Sequence, residues 1–163
     1  YYRICLSGGD DMIPLERELE HVKNYLIIQN MRYGDIIELE VEIPEKYRQI
    51  KLPKITLQPL VENSIYHGIK LKEGRRGKIR IYTETEDDAF CIVVWDNGEG
   101  MTLEQIAYLN QQIQIFDKNI GYGINNVNKR IELIFGEGFG LRYYKNPEAG
   151  ISVKIRLPER EEE

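Results

Sequence analysis

The sequence predicts an α+β fold: a two-layer α/β sandwich with three main helices on one face of a mixed sheet. Three observations carry this. Apolar residues recur at helical spacing in three separated windows. Short alternating or continuous apolar runs, bounded by glycine, proline and charged residues, read as strands. Strands near 78–84 and 89–95, and again near 139–144 and 151–157, follow one another at hairpin distance. With no internal repeat and no low-complexity segment, both kinds of element share one core.

Taken in order, residues 1–13 are mixed, and Ser7-Gly8-Gly9-Asp10-Asp11 reads as a linker. Pro14 opens and Gly34 closes a helix from Leu15 to Tyr33, with Leu19, Val22, Leu26 and Tyr33 on one stripe. Ile37, Leu39, Val41 and Ile43 alternate with Glu38, Glu40 and Glu42, the pattern of a half-buried strand. Pro44 to Pro53 reads as a connector. A second helix is expected from about Lys54 to Ile69, burying Leu57, Leu60, Val61 and Ile65 and leaving Glu62, Asn63 and Tyr66 off that stripe. The segment 102–120 begins helical and turns polar. A third helix runs from about Tyr122 to Phe135 before the last two strands. The division is 1–13 as linker, 14–158 as folded domain and 159–163 as a frayed acidic tail.

A chain of 163 residues, 42% hydrophobic and 30% charged, suits one globular domain. The net charge of −5 argues against non-specific nucleic-acid binding. Two cysteines, Cys5 and Cys91, are too few for a metal cluster, and Cys91 falls in a strand pattern that reads as a buried thiol. No apolar run is long enough to span a bilayer, and no signal-peptide pattern is present. The chain begins at Tyr1, which fits a piece of a longer protein, so these two features do not bear on the parent.

Three motifs carry chemistry. Glu62-Asn63-Ser64-Ile65-Tyr66-His67-Gly68 places an amide four residues before an imidazole at the edge of a buried stripe. An amide oxygen is a hard ligand suited to Mg²⁺, an ion that takes few protein oxygens beside phosphates and waters; a helix with a polar edge is the other reading. Asp96-Asn97-Gly98-Glu99-Gly100-Met101 follows an apolar strand. Its carboxylate suits a ligand's amino group, and its glycines let backbone lie against a flat ring; a plain glycine-rich turn is the alternative. Gly121-Tyr122-Gly123-Ile124 opens the third helix, where N–H groups without helical partners favour anions, although a lone pair of glycines is weak by itself. In this order the three amount to a metal ligand, a base contact and a phosphate cradle, with the polar segment between the second and third placed to act as a lid. Trp95, beside the expected adenine shelf, is expected to report nucleotide by fluorescence.

Here the sequence resembles a known family. Residues 57–68, LQPLVENSIYHG, look like the N box of GHKL-type ATP-binding domains; 96–101, DNGEGM, like the G1 box; and 121–130, GYGINNVNKR, like the G2 box. With residues 15–35 and 52–63, the likeness narrows to sensor histidine kinases of the LytS and YesM type and covers residues 12–158. It implies the Bergerat fold with ATP between helices and sheet. It implies Asn63 as Mg²⁺ ligand and Asp96 as acceptor of the adenine amino group. Gly98, Gly100 and Met101 would shape the base pocket, and Gly121, Tyr122, Gly123 and Ile124 would line the phosphates under the lid. Residues 1–6 resemble the end of a dimerisation helix, and the phospho-accepting histidine would lie in an earlier segment.

The resemblance also separates chemistries. Hydrolysing members carry a general-base Glu four residues before the metal Asn; this chain has Pro59 there. A histidine nucleophile brings its own lone pair and needs no such base. Glu62 is a candidate to orient a metal-bound water or the incoming histidine, or it is a solvated Glu. His67 is a candidate phosphate contact or a structural residue, and His21 reads as a surface histidine. Many relatives have Lys where Tyr66 stands, so Lys70, Lys72 and Lys118 are substitutes to weigh. The usual Gly-Thr of the last strand is Gly150-Ile151 here, and Ser152 should face the other side.

The reading is therefore an ATP-binding catalytic domain that transfers the γ-phosphate to a histidine outside this fragment. Its partners would be ATP, Mg²⁺, the helical phospho-acceptor domain of the same or a partner subunit, and a response regulator. It would be a cytoplasmic part of a membrane-anchored homodimer, with no nucleic acid involved. A GHKL-type ATPase module and a degenerate non-catalytic binding module are the alternatives.

Overall fold

The computed structural model describes residues 11–69, 76–87, 89–115 and 122–159, and for Tyr122 the backbone alone. A short strand β1, Met12–Pro14, leads into helix α1, Leu15–Tyr33. Leu15, Leu19, Val22 and Leu26 are buried along α1, and Gly34 ends it in the left-handed region at φ 87°. Strand β2, Ile37–Glu42, follows, then a single 3-10 turn, Glu45–Tyr47, and strand β3, Lys51–Pro53. Helix α2, Leu57–Asn63, continues as a π-helical segment, Ser64–Ile69. Strands β4, Gly77–Glu86, and β5, Ala89–Asp96, precede helix α3, Leu103–Gln114, and helix α4, Tyr122–Phe135. Strands β6, Gly140–Lys145, and β7, Ile151–Pro158, complete the described elements.

The main sheet runs β2-β4-β5-β7-β6. Its β2–β4 pair is parallel and the others are antiparallel, which makes the mixed sheet the sequence predicts. Alternation sorts its two faces. Ile79, Ile81, Phe90, Ile92, Val94, Leu141, Val153, Ile155 and Leu157 join the helices' apolar stripes in one core. Burying each such side chain contributes about 1.5–3 kcal/mol before chain entropy is subtracted. The other face carries ion pairs: Lys78 to Glu40 at 2.6 Å, Arg80 to Glu42 at 3.0 Å, and Lys154 to Glu84 at 2.7 Å. Cys91 lies fully buried beneath this layer, as its strand pattern predicts.

Four departures matter for the site. The connector 44–53 contains β3, which pairs antiparallel with β1, so Met12 and Ile13 face Pro53 and Leu52. The helix expected from Lys54 starts only at Leu57, because Ile55 takes a left-handed backbone, φ 61°, and no α-helix runs through it. Past Asn63 the helix widens to π, a local change of hydrogen bonding that periodicity does not predict. The expected lid segment begins helical, as predicted, but that helix, α3, is anchored to the sheet. Thr102 and Gln105 close a capping box at its start. Ile106 and Ile113 are buried, and the Asn110 amide brackets the backbone of Tyr143, donating to its carbonyl at 2.9 Å and accepting from its N–H at 2.8 Å. Residues 116–120 of that segment lie outside the described residues.

Candidate functional site

Parts of the three motifs, far apart in the chain, come together around α2 and its π continuation, Gly68 at the Asp96 end of β5 and Gly123 at Pro59. Gly68, on the π segment, lies against Asp96 and Gly98: a Cβ built on Gly98 would stand 2.5 Å from the Gly68 Cα. The Glu99 N–H donates to the Gly68 carbonyl at 3.4 Å. Gly123, in the first turn of α4, packs on Pro59 of α2, whose Cβ is 3.5 Å from where a Gly123 Cβ would sit. Tyr143, fully buried on β6, faces both Asn63 and Asp96. Its phenol pKa is raised by burial first and then by the Asp96 carboxylate, with the nearby Asn63 acting the other way. Residues 63, 96 and 123 therefore share one region of the molecule.

Asp96 is 1% exposed at the end of β5. Its Oδ1 accepts from the Gly98 N–H at 2.8 Å and more weakly from the Ile151 N–H at 3.4 Å. Its carbonyl accepts from Asn146 Nδ2 at 2.8 Å, and the Ser152 hydroxyl, facing away from the core as alternation predicts, donates to Asn146 Oδ1. The glycines here have reasons beyond a bare ring-facing surface. Gly98 has no positive φ; what it needs is space against Gly68. Gly100, at φ 77°, lies against Gly150, and a Cβ on Gly150 would fall 2.0 Å from the Asp96 carbonyl oxygen.

The remaining predicted residues fall as follows. Asn63 is half-buried at the end of α2. Glu62 accepts from Gln58 Nε2 at 3.0 Å and lies near Tyr25 of α1, where it helps burial raise the tyrosine's pKa. The rings of Tyr66 and His67 are exposed, with centroids 6.0 Å apart. Met101 is half-buried against the core, and Ile124 is buried while Gly123 is exposed. Lys70, Lys72, Lys118 and Gly121, and the Tyr122 side chain, lie outside the described residues. His21 is exposed, as expected.

Trp95 is a correction. Its ring stacks with the Arg80 guanidinium, 5.6 Å from its centroid, on the charged face of the sheet. Successive strand residues point to opposite faces, so the indole and the Asp96 carboxylate lie on opposite sides of β5. Residues that the sequence reading did not name also build the site: Asn146 and Tyr143 around Asp96, beside the Gly150 of the expected Gly-Thr position, and Glu18 and Arg130 behind α2. Asn146 carries a signal, since Asn146-Pro147-Glu148-Ala149-Gly150 reads as a turn; Tyr143, Glu18 and Arg130 carry none.

A cleft of about 470 Å³ is lined by Gly100, Met101, Gln105, Lys145, Asn146 and Gly150, within the range of small-molecule sites. A larger cavity, about 810 Å³, lies at the far end of β5 beside Phe90 and Leu157 and contains none of the predicted residues. Among the described residues there is no group of three or more His, Cys, Asp or Glu side chains to cage a metal. An ion held largely by phosphate and water needs few protein oxygens, and the half-buried Asn63 amide could supply one.

Residues 50–161 match the model of the Histidine kinase-, DNA gyrase B-, and HSP90-like ATPase family, and residues 1–37 match a histidine kinase model. The chain belongs to this ATPase family and carries its ATP-binding catalytic domain. Among curated proteins it is similar to sensor kinases named LytS and YesM. It is 35% identical over 155 residues to the sensor protein LytS of Oceanobacillus iheyensis, covering 94% of this chain and 26% of that one. It is 32% identical over 152 residues to the sensor histidine kinase YesM of Bacillus subtilis, covering 93% and 25%. The chain thus spans about a quarter of the length of the curated relatives it matches. Among solved structures, the nucleotide-free catalytic domain of histidine kinase ThkA matches with TM-score 0.60 at 19% identity, covering 90% of this chain and 93% of that one. The Acinetobacter baumannii histidine kinase AdeS matches with TM-score 0.64 at 15% identity, covering 93% and 68%. At these identities the likeness shows the fold.

Proposed function

We propose that this domain binds Mg·ATP and presents its γ-phosphate to a histidine on a helical segment outside the chain, in a parent that is a membrane-anchored dimeric sensor kinase. The relay would continue to a response regulator; the structural neighbours include ThkA in complex with the response regulator protein TrrA. The observation that supports the reading is that Gly68, past Asn63, lies against Asp96 and Gly98, while Gly123 packs on Pro59, one turn before Asn63.

In this reading the nucleotide supplies the phosphoryl group and Mg²⁺ neutralises its developing charge. Asp96, fixed through its own backbone and the Gly98 N–H, accepts from the adenine amino group. Gly98 and Gly100 keep side chains out of the base pocket, and Met101 lines it. The first turn of α4, at Tyr122 and Gly123, offers N–H groups to phosphate oxygens. Asn63 turns an amide oxygen to the metal, and His67 and Lys70 are the nearby candidates for phosphate contact. Pro59, packed on Gly123, puts a hydrocarbon ring where a hydrolysing relative would hold a base, which supports transfer over hydrolysis. Glu62, held by Gln58 near Tyr25, is better accounted for as a structural residue than as one orienting a metal-bound water.

Calorimetric titration with an unhydrolysable ATP analogue, with and without Mg²⁺, tests this. Asp96→Ala should abolish binding, and Asn63→Ala should lose about tenfold of Mg²⁺-dependent affinity while staying folded. Equal affinity with and without Mg²⁺ in the unmodified chain would remove the metal from the reading. Because Trp95 faces away, its fluorescence should stay unchanged during the titration.

A further inference from the structure

We infer that Glu18 and Arg130 are positioning residues: a two-sided clamp on the turn before α2 that sets where Asn63 stands relative to the start of α4. This rests on the reading of the site given above.

Glu18 is a carboxylate on α1, 1% exposed. Its Oε1 accepts from the Ile55 N–H at 2.8 Å, and its Oε2 accepts from Thr56 at 3.0 Å and Leu57 at 2.9 Å. The last two donors belong to the opening of α2, which a helix leaves without internal partners and where an anion is favoured. The helix's own cap position does not serve, because the Thr56 hydroxyl donates to the Pro53 carbonyl at 2.6 Å. From the other side, the guanidinium of Arg130 on α4 donates to the carbonyls of Lys54 and, at 2.8 Å, Ile55. The turn's N–H groups are thus held by an anion from α1 and its carbonyls by a cation from α4.

Two features tie this to the site rather than to stability alone. Ile55 sits at φ 61°, a conformation a β-branched residue holds only when its surroundings impose it. And α2 is short: Leu57 follows the clamped turn directly, and Asn63 ends the helix. Farther along the same two helices, Gly123 packs on Pro59. One contact at the turn and one at Gly123 fix α2 against α4 in both distance and angle. The Asp96 end has its own supports in Gly68, Gly98 and Gly150, and the clamp touches none of them.

The test uses the 163-residue chain and two ligands: adenosine, and an unhydrolysable ATP analogue with Mg²⁺. Arg130→Lys keeps the charge but loses the fork that serves two carbonyls. Glu18→Gln keeps the shape but turns one acceptor into a donor. In each variant, affinity for the ATP analogue should fall about tenfold, a typical coupling between sites, while adenosine affinity stays unchanged. If the two affinities fall in parallel, the pair is merely structural and the inference is overturned; if neither moves, it is overturned as well. Should Glu18→Gln fail to fold, Arg130→Lys, which acts from the exposed side of the turn, decides alone. An unmodified chain that binds neither ligand would sink the nucleotide reading itself, and the clamp's role with it.

Discussion

The two ends of the site are held by different physics. Around Asp96, backbone meets backbone: Gly98 lies on Gly68, Gly100 on Gly150, and Gly150 on the Asp96 carbonyl. Around Asn63 and Gly123, helices are placed by side chains reaching in from elsewhere, namely Glu18 and Arg130. At Gly98 and Gly150 the contact leaves no slack, because an added Cβ would fall 2.5 Å and 2.0 Å from neighbouring backbone. A side-chain clamp can be weakened by degrees. The base end should therefore respond to substitution as all or nothing, and the phosphate end in graded steps.

Gly150→Ala should show the largest effect. It combines a left-handed φ of 80° with a Cβ that would fall 2.0 Å from a carbonyl oxygen. Urea unfolding should register a loss of about 3–5 kcal/mol, and adenosine and the ATP analogue should lose affinity together. A variant of near-native stability would break the comparison, since the base end would then have slack after all.

Asn146→Ala removes the side-chain donor to the Asp96 carbonyl and the acceptor of the Ser152 hydroxyl without adding bulk. Its cost should be about 2 kcal/mol, the scale of a buried polar group left unsatisfied, again read by urea unfolding. A loss confined to triphosphate binding would contradict the assignment of Asn146 to the base end.

The smallest effect sharpens where the base end stops. Cys91 lies on β5, five residues from Asp96, and is fully buried on the opposite face. Burial, and secondarily Glu86, pushes its thiol up to about 11. The thiolate is the reactive form. In a folded Cys5→Ser chain, alkylation at pH 8 should therefore be slow and should quicken as pH rises toward that value, whereas the unfolded chain should label at the ordinary thiol rate. Asn146→Ala should leave this protection intact. Rapid labelling in that variant would mean that loosening at Asp96 travels the whole strand.

Much of the fold is legible in the residues themselves. The stripes of α1 and α4, the closing glycine at Gly34, the alternation of β2 and the apolar runs of β5 and β7 are local patterns, and each becomes the element expected. The orientation of Trp95 is legible too, because neighbouring strand residues face opposite ways. The start of α2 is not. Nothing near Lys54 announces that helix formation waits for Leu57, since the groups that hold the turn stand at residues 18 and 130. The pairing of β1 with β3 joins segments 37 or more residues apart. The widening to π after Asn63 likewise answers no nearby residue.

The amino-acid sequence by itself determined the class of the domain and the identity of its chemical groups: a buried-strand Asp, a helix-edge Asn and glycines at two backbone turns. Those depend on periodicity and residue type within a few turns of chain. The tertiary structure alone decided which glycine fits against which, which side of β5 each group faces, and what holds α2 in place. These are contacts between residues distant in sequence, where tenths of an ångström in close packing, rather than any local preference, set the outcome.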